Sequence, residues 1–331
     1  MNQALAPRHL QLREILLRRW KTNGLKSGDR IESQNEIVQM CAFSLITVVK
    51  TLKDLEAEGV IRREVGKGSF LRKAPWTAPY HRIGFLYNRD VVGGGIFRNS
   101  FYTEIVMAFE RQVVSDGHSF AMASIANRGT RLSDIDALDI AVLTAISDET
   151  EIDFIDKATS QIVLLDHVIE HPKLHCYRVD YGPAMYDLVA GQGKLPRRFV
   201  YLDTEIESSE RLLRLEWARA AMAATHPDSS LAVLRVDQET GGKVALDRLL
   251  AALREKPADV IFGHASHSWP DAIRATLPEA RVFPFTVHAD TPGLYLDLEA
   301  WIADVLPRIY ANFEDRQAQA AIHTFPAVFR P

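Results

Sequence analysis

The amino-acid sequence predicts an α+β module at the start of the chain, followed by a larger α/β domain built on parallel sheets. Three observations lead there. The 331 residues are more than one ordinary core accommodates. The charge is divided: residues 1–75 hold 14 Lys and Arg against 8 Asp and Glu, and the remainder holds 25 against 35, so a net +6 precedes a net −10. The apolar pattern also changes near residue 81, from short helices and a hairpin to strands interleaved with helices.

The bulk composition excludes several classes. Hydrophobic and charged residues make up 47% and 25% of the chain, as in ordinary soluble proteins. No stretch approaches the roughly 20 consecutive apolar residues that a membrane helix needs. The segment Met1–Arg19 is basic and amphipathic and lacks the apolar run of a secretory signal. Cys41 and Cys176 lie far apart, which gives neither a disulfide framework nor a metal-ligand spacing and suits a reducing cytoplasm.

Within the first module, Leu12, Ile15, Leu16 and Trp20 recur at helical spacing, and Gly24 and Gly28 then break the chain. Ser33 and Glu36 form a Ser-x-x-Glu capping box that starts a second helix carrying Ile37, Val38 and Met40. A short turn through Ala42 and Phe43 reaches Ser44, the N-cap of a third helix whose stripe is Val48, Leu52 and Leu55 and whose end is Gly59. Val60–Arg63 and Ser69–Leu71 read as strands joined by a turn at Gly66-Lys67-Gly68. Three short helices and a basic hairpin predict a winged helix-turn-helix over residues 1–73. Its third helix has the size for a DNA major groove, and Arg62, Arg63, Lys67, Arg72 and Lys73 can meet phosphates.

Residues 74–81, "APWTAPYH", read as a linker, and 82–331 as the larger domain. Strands are predicted at Ile83–Tyr87, Ser119–Ala123, Ile140–Thr144, Ile162–Leu165, Cys176–Val179, Phe199–Leu202, Leu231–Val236, Val260–Phe262 and Val282–Phe285. Helices are predicted around Tyr102–Val113 and over Ser208–Ala224, Lys243–Arg254 and Leu298–Phe313. Such alternation implies parallel sheets covered on both faces, as one doubly wound domain or two similar lobes.

The run from Leu25 to Phe70 resembles the DNA-binding domain of the GntR family of bacterial regulators. The shared landmarks are Gly28-Asp29-Arg30, Ser33, Thr47-Val48, Leu52, Leu55-Glu56-Ala57-Glu58-Gly59 and Gly66-Lys67-Gly68-Ser69-Phe70. The resemblance implies operator DNA as a partner, contacted by Ser33, Gln34, Asn35, Ser44, Thr47, Lys50, Arg62, Gly66 and Lys67. Two departures matter. Glu32-Ser33-Gln34-Asn35 replaces the usual Pro-Ser-Glu-Arg, and Leu45 and Val49 stand where members commonly carry arginines. Arginine is the main bidentate reader of guanine, so adenine or phosphate is the expected target.

The larger domain resembles the periplasmic-binding-protein-like effector domain of the LacI family in Ile83-Gly84-Phe85, "LLDHVIEHP", "RVDYGPAMYDLV", "SSERLLRLEW", "ADVIFGHASHSWPDAIRA" and "GLYLDLEAW". This resemblance implies two lobes with a small-molecule effector between them, sugar-like and held by Phe97, Arg98, Asp166, Arg211, His264, His267, Trp269 and Asp297. The glycine-rich Gly93-Gly94-Gly95 loop is placed at the same cleft. Gly263-His264-Ala265 departs from the family's usual Asn-Asp pair, with His264, His267 or Trp269 replacing that contact. A local alternative exists for Arg211, which can pair with Asp203, Glu205 or Glu207, and for Asp166, which can cap a loop. A GntR-type head on a LacI-type body is similar to bacterial arabinose repressors.

No chemistry beyond binding is indicated. His167, His171 and His175 recur at intervals of four, but Pro172 interrupts them and no acidic or cysteine cluster completes a zinc site. Gly66-Lys67-Gly68-Ser69 lacks the spacing of a phosphate loop, and no Gly-x-Ser-x-Gly elbow is present. The expectation is a cytoplasmic, homodimeric repressor without cofactor, metal or enzymatic activity. The alternative is a ligand-binding or interaction protein whose DNA module has lost specific recognition.

Overall fold

The computed structural model describes residues 7–331 except 65, 75–79, 93–95, 97–99, 194–196, 237–242, 266–267 and 316–317. The chain divides into two compact units, Met1–Tyr80 and His81–Pro331.

The first unit contains α1 (Arg8–Thr22), α2 (Gln34–Cys41), α3 (Leu45–Ala57) and the antiparallel pair β1 (Ile61–Glu64) and β2 (Gly68–Leu71). Leu12, Leu16 and Trp20 form the buried stripe of α1. Ile15 lies a quarter-turn away and is exposed, which corrects its expected place in that stripe. The capping box is complete: Ser33 Oγ accepts from Glu36 N, and Glu36 Oε2 accepts from Ser33 N at 2.6 Å. Ala42 then turns the chain with a left-handed φ of 54°, and Ser44 caps α3. Val48, Leu52 and Leu55 of α3 close the core with Ile37, Val60, Ile61 and Leu71. Glu32 ties α1 to the segment before α2, accepting from Trp20 Nε1 at 2.6 Å and Arg19 Nε at 3.0 Å.

The second unit consists of two lobes, each built on a six-stranded sheet. The first sheet runs β13 (Ile322–Pro326), β7 (His175–Asp180), β6 (Gln161–Leu165), β5 (Ile140–Thr144), β3 (Arg82–Asn88), β4 (Ser119–Ile125), all parallel. The second runs β14 (Val328–Arg330), β12 (Gly293–Tyr295), β11 (Arg281–Thr286), β10 (Val260–Gly263), β8 (Arg198–Thr204), β9 (Ser230–Val236), with only β14 antiparallel. Strands such as β5 and β10 are buried throughout because helices cover both faces of each sheet.

The helices are α4 (Ser100–Ser115), α5 (Leu132–Asp136), α6 (Phe154–Lys157), α7 (Gly182–Ala190), α8 (Ser209–Thr225), α9 (Lys243–Glu255), α10 (Trp269–Thr276) and α11 (Leu298–Glu314). Helix α11 returns to pack on α4 in the first lobe, and α7 packs on α8 in the second. The chain therefore passes between lobes three times: after β7, after β12, and between β13 and β14 at Ala327. Ala327 N donates to Asp180 O at 2.9 Å, which binds the third passage to the first. One apolar cluster spans both lobes and includes Phe85, Tyr177, Tyr201, Phe262 and Trp301. No described helix is long and apolar enough to cross a membrane.

Candidate functional site

In parallel sheets the carboxyl ends of the strands point into the crevice where ligands bind. Here those ends carry left-handed backbone: Ala145 (φ 56°) after β5, Asp166 (φ 55°) after β6 and Gly263 (φ 114°) ending β10. Such conformations are costly for residues other than glycine and concentrate at functional sites. At Gly263 a Cβ would lie 2.5 Å from Leu202 O, so only glycine fits.

The side chains that meet across the crevice come from these ends and from the first turns of α8. Asp166 Oδ1 of the first lobe accepts from Arg214 Nη2 of the second at 2.7 Å, and both side chains are 10% exposed or less. The Arg214 guanidinium also lies 5.2 Å from the Tyr181 ring and 5.6 Å from the Phe285 ring, within cation–π range. Glu210, one turn earlier on α8, approaches Arg178 of β7 at 3.8 Å. Two further hydrogen bonds hold the lobes together: Ser209 Oγ to Val168 O at 3.2 Å and Asp148 N to Glu207 O at 3.1 Å.

Burial governs the electrostatics of this cluster. It pushes the Glu210 carboxyl up to about 7, reinforced by the charge of Asp166 against the opposing pull of Arg214 and Arg178. Burial and then Arg214 lower His264 to about 3 and His167 to about 4, so both rings are neutral at pH 7. Burial likewise raises the Tyr102, Tyr181 and Tyr201 phenols above their ordinary value. Among the described residues, Thr144 Oγ1, Arg178 Nε, Tyr201 Oη, Glu210 Oε2, Arg214 Nε and His264 Nε2 are buried without a hydrogen-bond partner. Donors, a carboxyl acceptor and aromatic faces therefore converge, which is the chemistry that binds a small polar molecule.

The expected cleft residues divide accordingly. Asp166 and His264 stand in the cluster. Arg211 is buried and bridges Asp203 and Glu207, both at 2.5 Å. Burial opposes its charge, but those two carboxylates outweigh it and raise its pKa. Trp269 requires a correction: it is 1% exposed and packs with Val200, Leu202, Ile261 and Ile273 in a separate apolar core. Asp297 also requires one, because its exposed side chain caps α11 by accepting from Ala300 N at 3.1 Å. Phe97, Arg98, His267 and the Gly93–Gly95 loop lie outside the described residues. Arg214, Glu210, Tyr102, Tyr181 and Tyr201 were missed. Only the structure separates the two arginines of α8: Asp203 and Glu207 engage Arg211, while Arg214 turns toward the other lobe.

In the first unit, Ser33 and Ser44 both spend an acceptor on helix capping, and Ser44 Oγ lies 2.9 Å from Thr47 Oγ1. Asn35 and Lys50 are exposed and Gln34 is half-buried. Arg62 pairs with Glu64 and lies 5.1 Å from the Phe70 ring. Gly66 turns the hairpin at φ 76°, and Lys67 beside it is held 3.5 Å from Glu64. Among the described residues, no group of His, Cys, Asp and Glu could hold a metal ion.

This architecture is that of two-lobed, periplasmic-binding-protein-like α/β domains, as solved structures show. A LacI-family regulator from Corynebacterium glutamicum, described as a putative repressor, matches with a TM-score of 0.60 and 8% identity over 76% of this chain and 97% of its own. The Cra transcriptional dual regulator of Pseudomonas putida, in complex with fructose 1-phosphate, matches with a TM-score of 0.59 and 16% identity over 75% of this chain and 97% of its own. A Caulobacter myo-inositol binding protein, bound to myo-inositol, gives 0.58 and 14% over 76% and 92%. At these identities the likeness is one of fold. No protein-family model and no curated protein matches the sequence.

Proposed function

We propose that the chain is a DNA-binding transcription regulator, a repressor, whose grip on operator DNA is set by a small polar effector held between the lobes. The observation that carries this reading is the union, in one chain, of a basic helix–hairpin unit and a two-lobed unit in which Tyr201, Glu210 and His264, each with a buried, unpartnered polar atom, lie within electrostatic reach of Arg214. In this reading residues 1–73 form a winged helix-turn-helix, with α3 in the major groove and the hairpin against the backbone. Residues 74–81 are the linker and 82–331 the effector domain.

The effector is a carbohydrate or related polar metabolite, which the mixture of donors, acceptor and ring faces suits. The solved relatives with fructose 1-phosphate or myo-inositol bound support that class. Asp166, Glu210, Arg214, Tyr201 and His264 bind it, while Arg211 braces α8 through Asp203. Phe97, Arg98 and His267 belong to the same proposal. The protein works as a cytoplasmic homodimer on a palindromic site, without cofactor or catalysis. Effector binding replaces the Arg214–Asp166 contact and thereby changes the lobe arrangement that favours DNA.

Fluorescence anisotropy on DNA from immediately upstream of the gene, against scrambled DNA at physiological salt, tests this reading. The expected result is binding about a thousandfold tighter to the native DNA, released by one member of a panel of sugars and sugar phosphates. Equal, weak and strongly salt-dependent binding to both DNAs, there and at neighbouring promoters, would overturn it in favour of a ligand-binding protein with a degenerate DNA module.

A further inference from the structure

Helix α3 turns Val48, Thr51, Leu52 and Leu55 toward the core of the first unit. Its opposite stripe, at the i, i+4, i+7 spacing, is Ile46, Lys50 and Lys53, all exposed. Ile46 is 83% exposed and its neighbour Leu45 is 51% exposed, both in the first turn, directly after the Ser44 cap. Among the described residues neither side chain joins the unit's apolar core, whereas a polar residue would satisfy the helix at such positions. The apolar tip is continued by two lysines on a unit with a net charge of +6. A polyanion with an apolar group recessed between its charges complements this stripe, and the DNA major groove offers one such group, the C5-methyl of thymine.

Resting on the DNA-binding reading above, we infer that Ile46, aided by Leu45, reads thymine methyl groups in the major groove, with Lys50 and Lys53 on the flanking phosphates. The protein then selects A·T pairs by apolar contact at positions where an arginine would select guanine. Ile46 is a specificity determinant rather than a core residue.

The test begins with selection of a random duplex library by the full-length protein. The recovered sequence is then synthesised with thymine or with uracil, which differs only in lacking the methyl group, and affinity is measured by anisotropy. Uracil at the contacted positions is expected to weaken binding by the wild-type protein about fourfold per methyl lost. The double variant Leu45→Ala/Ile46→Ala is expected to bind both duplexes alike, at the weaker level, and Ile46→Ala alone to lose the larger part of the difference. Equal affinity of the wild-type protein for the two duplexes would overturn the inference and leave the DNA-binding reading standing. Recovery of no sequence at all would overturn both.

Discussion

At the scale of single residues, the buried contact between Asp166 and Arg214 joins the two lobes. A buried pair is a weak source of net stability, but removing one partner leaves an uncompensated charge. Asn tolerates the left-handed backbone that Asp166 adopts, so Asp166→Asn isolates the charge from the turn. The variant is expected to lose about 3 kcal/mol of unfolding free energy in the second unit, read from urea denaturation. Gly263→Ala should cost a comparable amount, about 3 kcal/mol, because a methyl group would strike Leu202 O at a φ of 114°. The choice between Arg211 and Arg214 shows how far the sequence carries at this scale. Both lie on the expected helix, but which one faces the other lobe depends on the helix's rotation about its axis, which packing against the first lobe determines. Trp269 fails for a related reason: an aromatic residue following a strand end reads equally as a cleft wall or as a core residue.

At the scale of elements, the helices of the first unit depend on a few local devices that the sequence displays openly. The Ser33–Glu36 box and the Ser44 cap stand where their spacing places them. Glu32 was not legible in this role, because its partner Trp20 lies 12 residues earlier and the contact forms only when α1 folds back. Burial raises the Glu32 carboxyl, but the hydrogen bonds from Trp20 and Arg19 outweigh it, and the net shift is downward. Glu32→Ala should therefore cost the first unit about 2 kcal/mol, chiefly through the orphaned indole N–H, with the second unit's transition unchanged. In the second unit the nine expected strands are all present; the central ones are buried parallel strands that read as continuous apolar runs, and the edge strands β4 and β9 carry enough apolar residues to read the same way. The three that were missed, β12, β13 and β14, are short edge or near-edge strands, and β13 and β14 show little burial contrast along their length.

At the scale of the whole molecule, the buried titratable groups of the cleft oppose one another. Unfolding below about pH 6.5 lets His264 and His167 take up protons that the folded state refuses until about 3 and 4. Each therefore lowers stability as the pH falls below 6.5. Glu210 acts in the other direction: it stays protonated up to about 7 when folded but releases its proton near 4.5 when unfolded, so it lowers stability as the pH rises between those values. From 6.5 to 4.5 two uptakes outweigh one release, and stability falls with falling pH by at most about 1.4 kcal/mol per unit from these three groups. His118, His175 and His323, also shifted down by burial, act in the same sense. Urea midpoints measured from pH 7.5 to 4.5 should show this decline. Glu210→Gln should steepen it, because it removes the one group that opposes the histidines.

The threefold passage between lobes also fixes an order of events in time. Strand β7 ends at Asp180, but its neighbour β13 begins only at Ile322, after nearly all of the second lobe has been made. A ribosome needs roughly ten seconds to synthesise the intervening stretch at ordinary elongation rates. Throughout that interval the nascent first lobe carries β7 as an open edge, with unpaired amides and carbonyls facing outward. The hydrophobic face of α4 waits longer still for α11, so the first half of the chain cannot mature before the second. Crowded, fast expression therefore exposes this protein to edge-to-edge association, and slow synthesis at low temperature shields it.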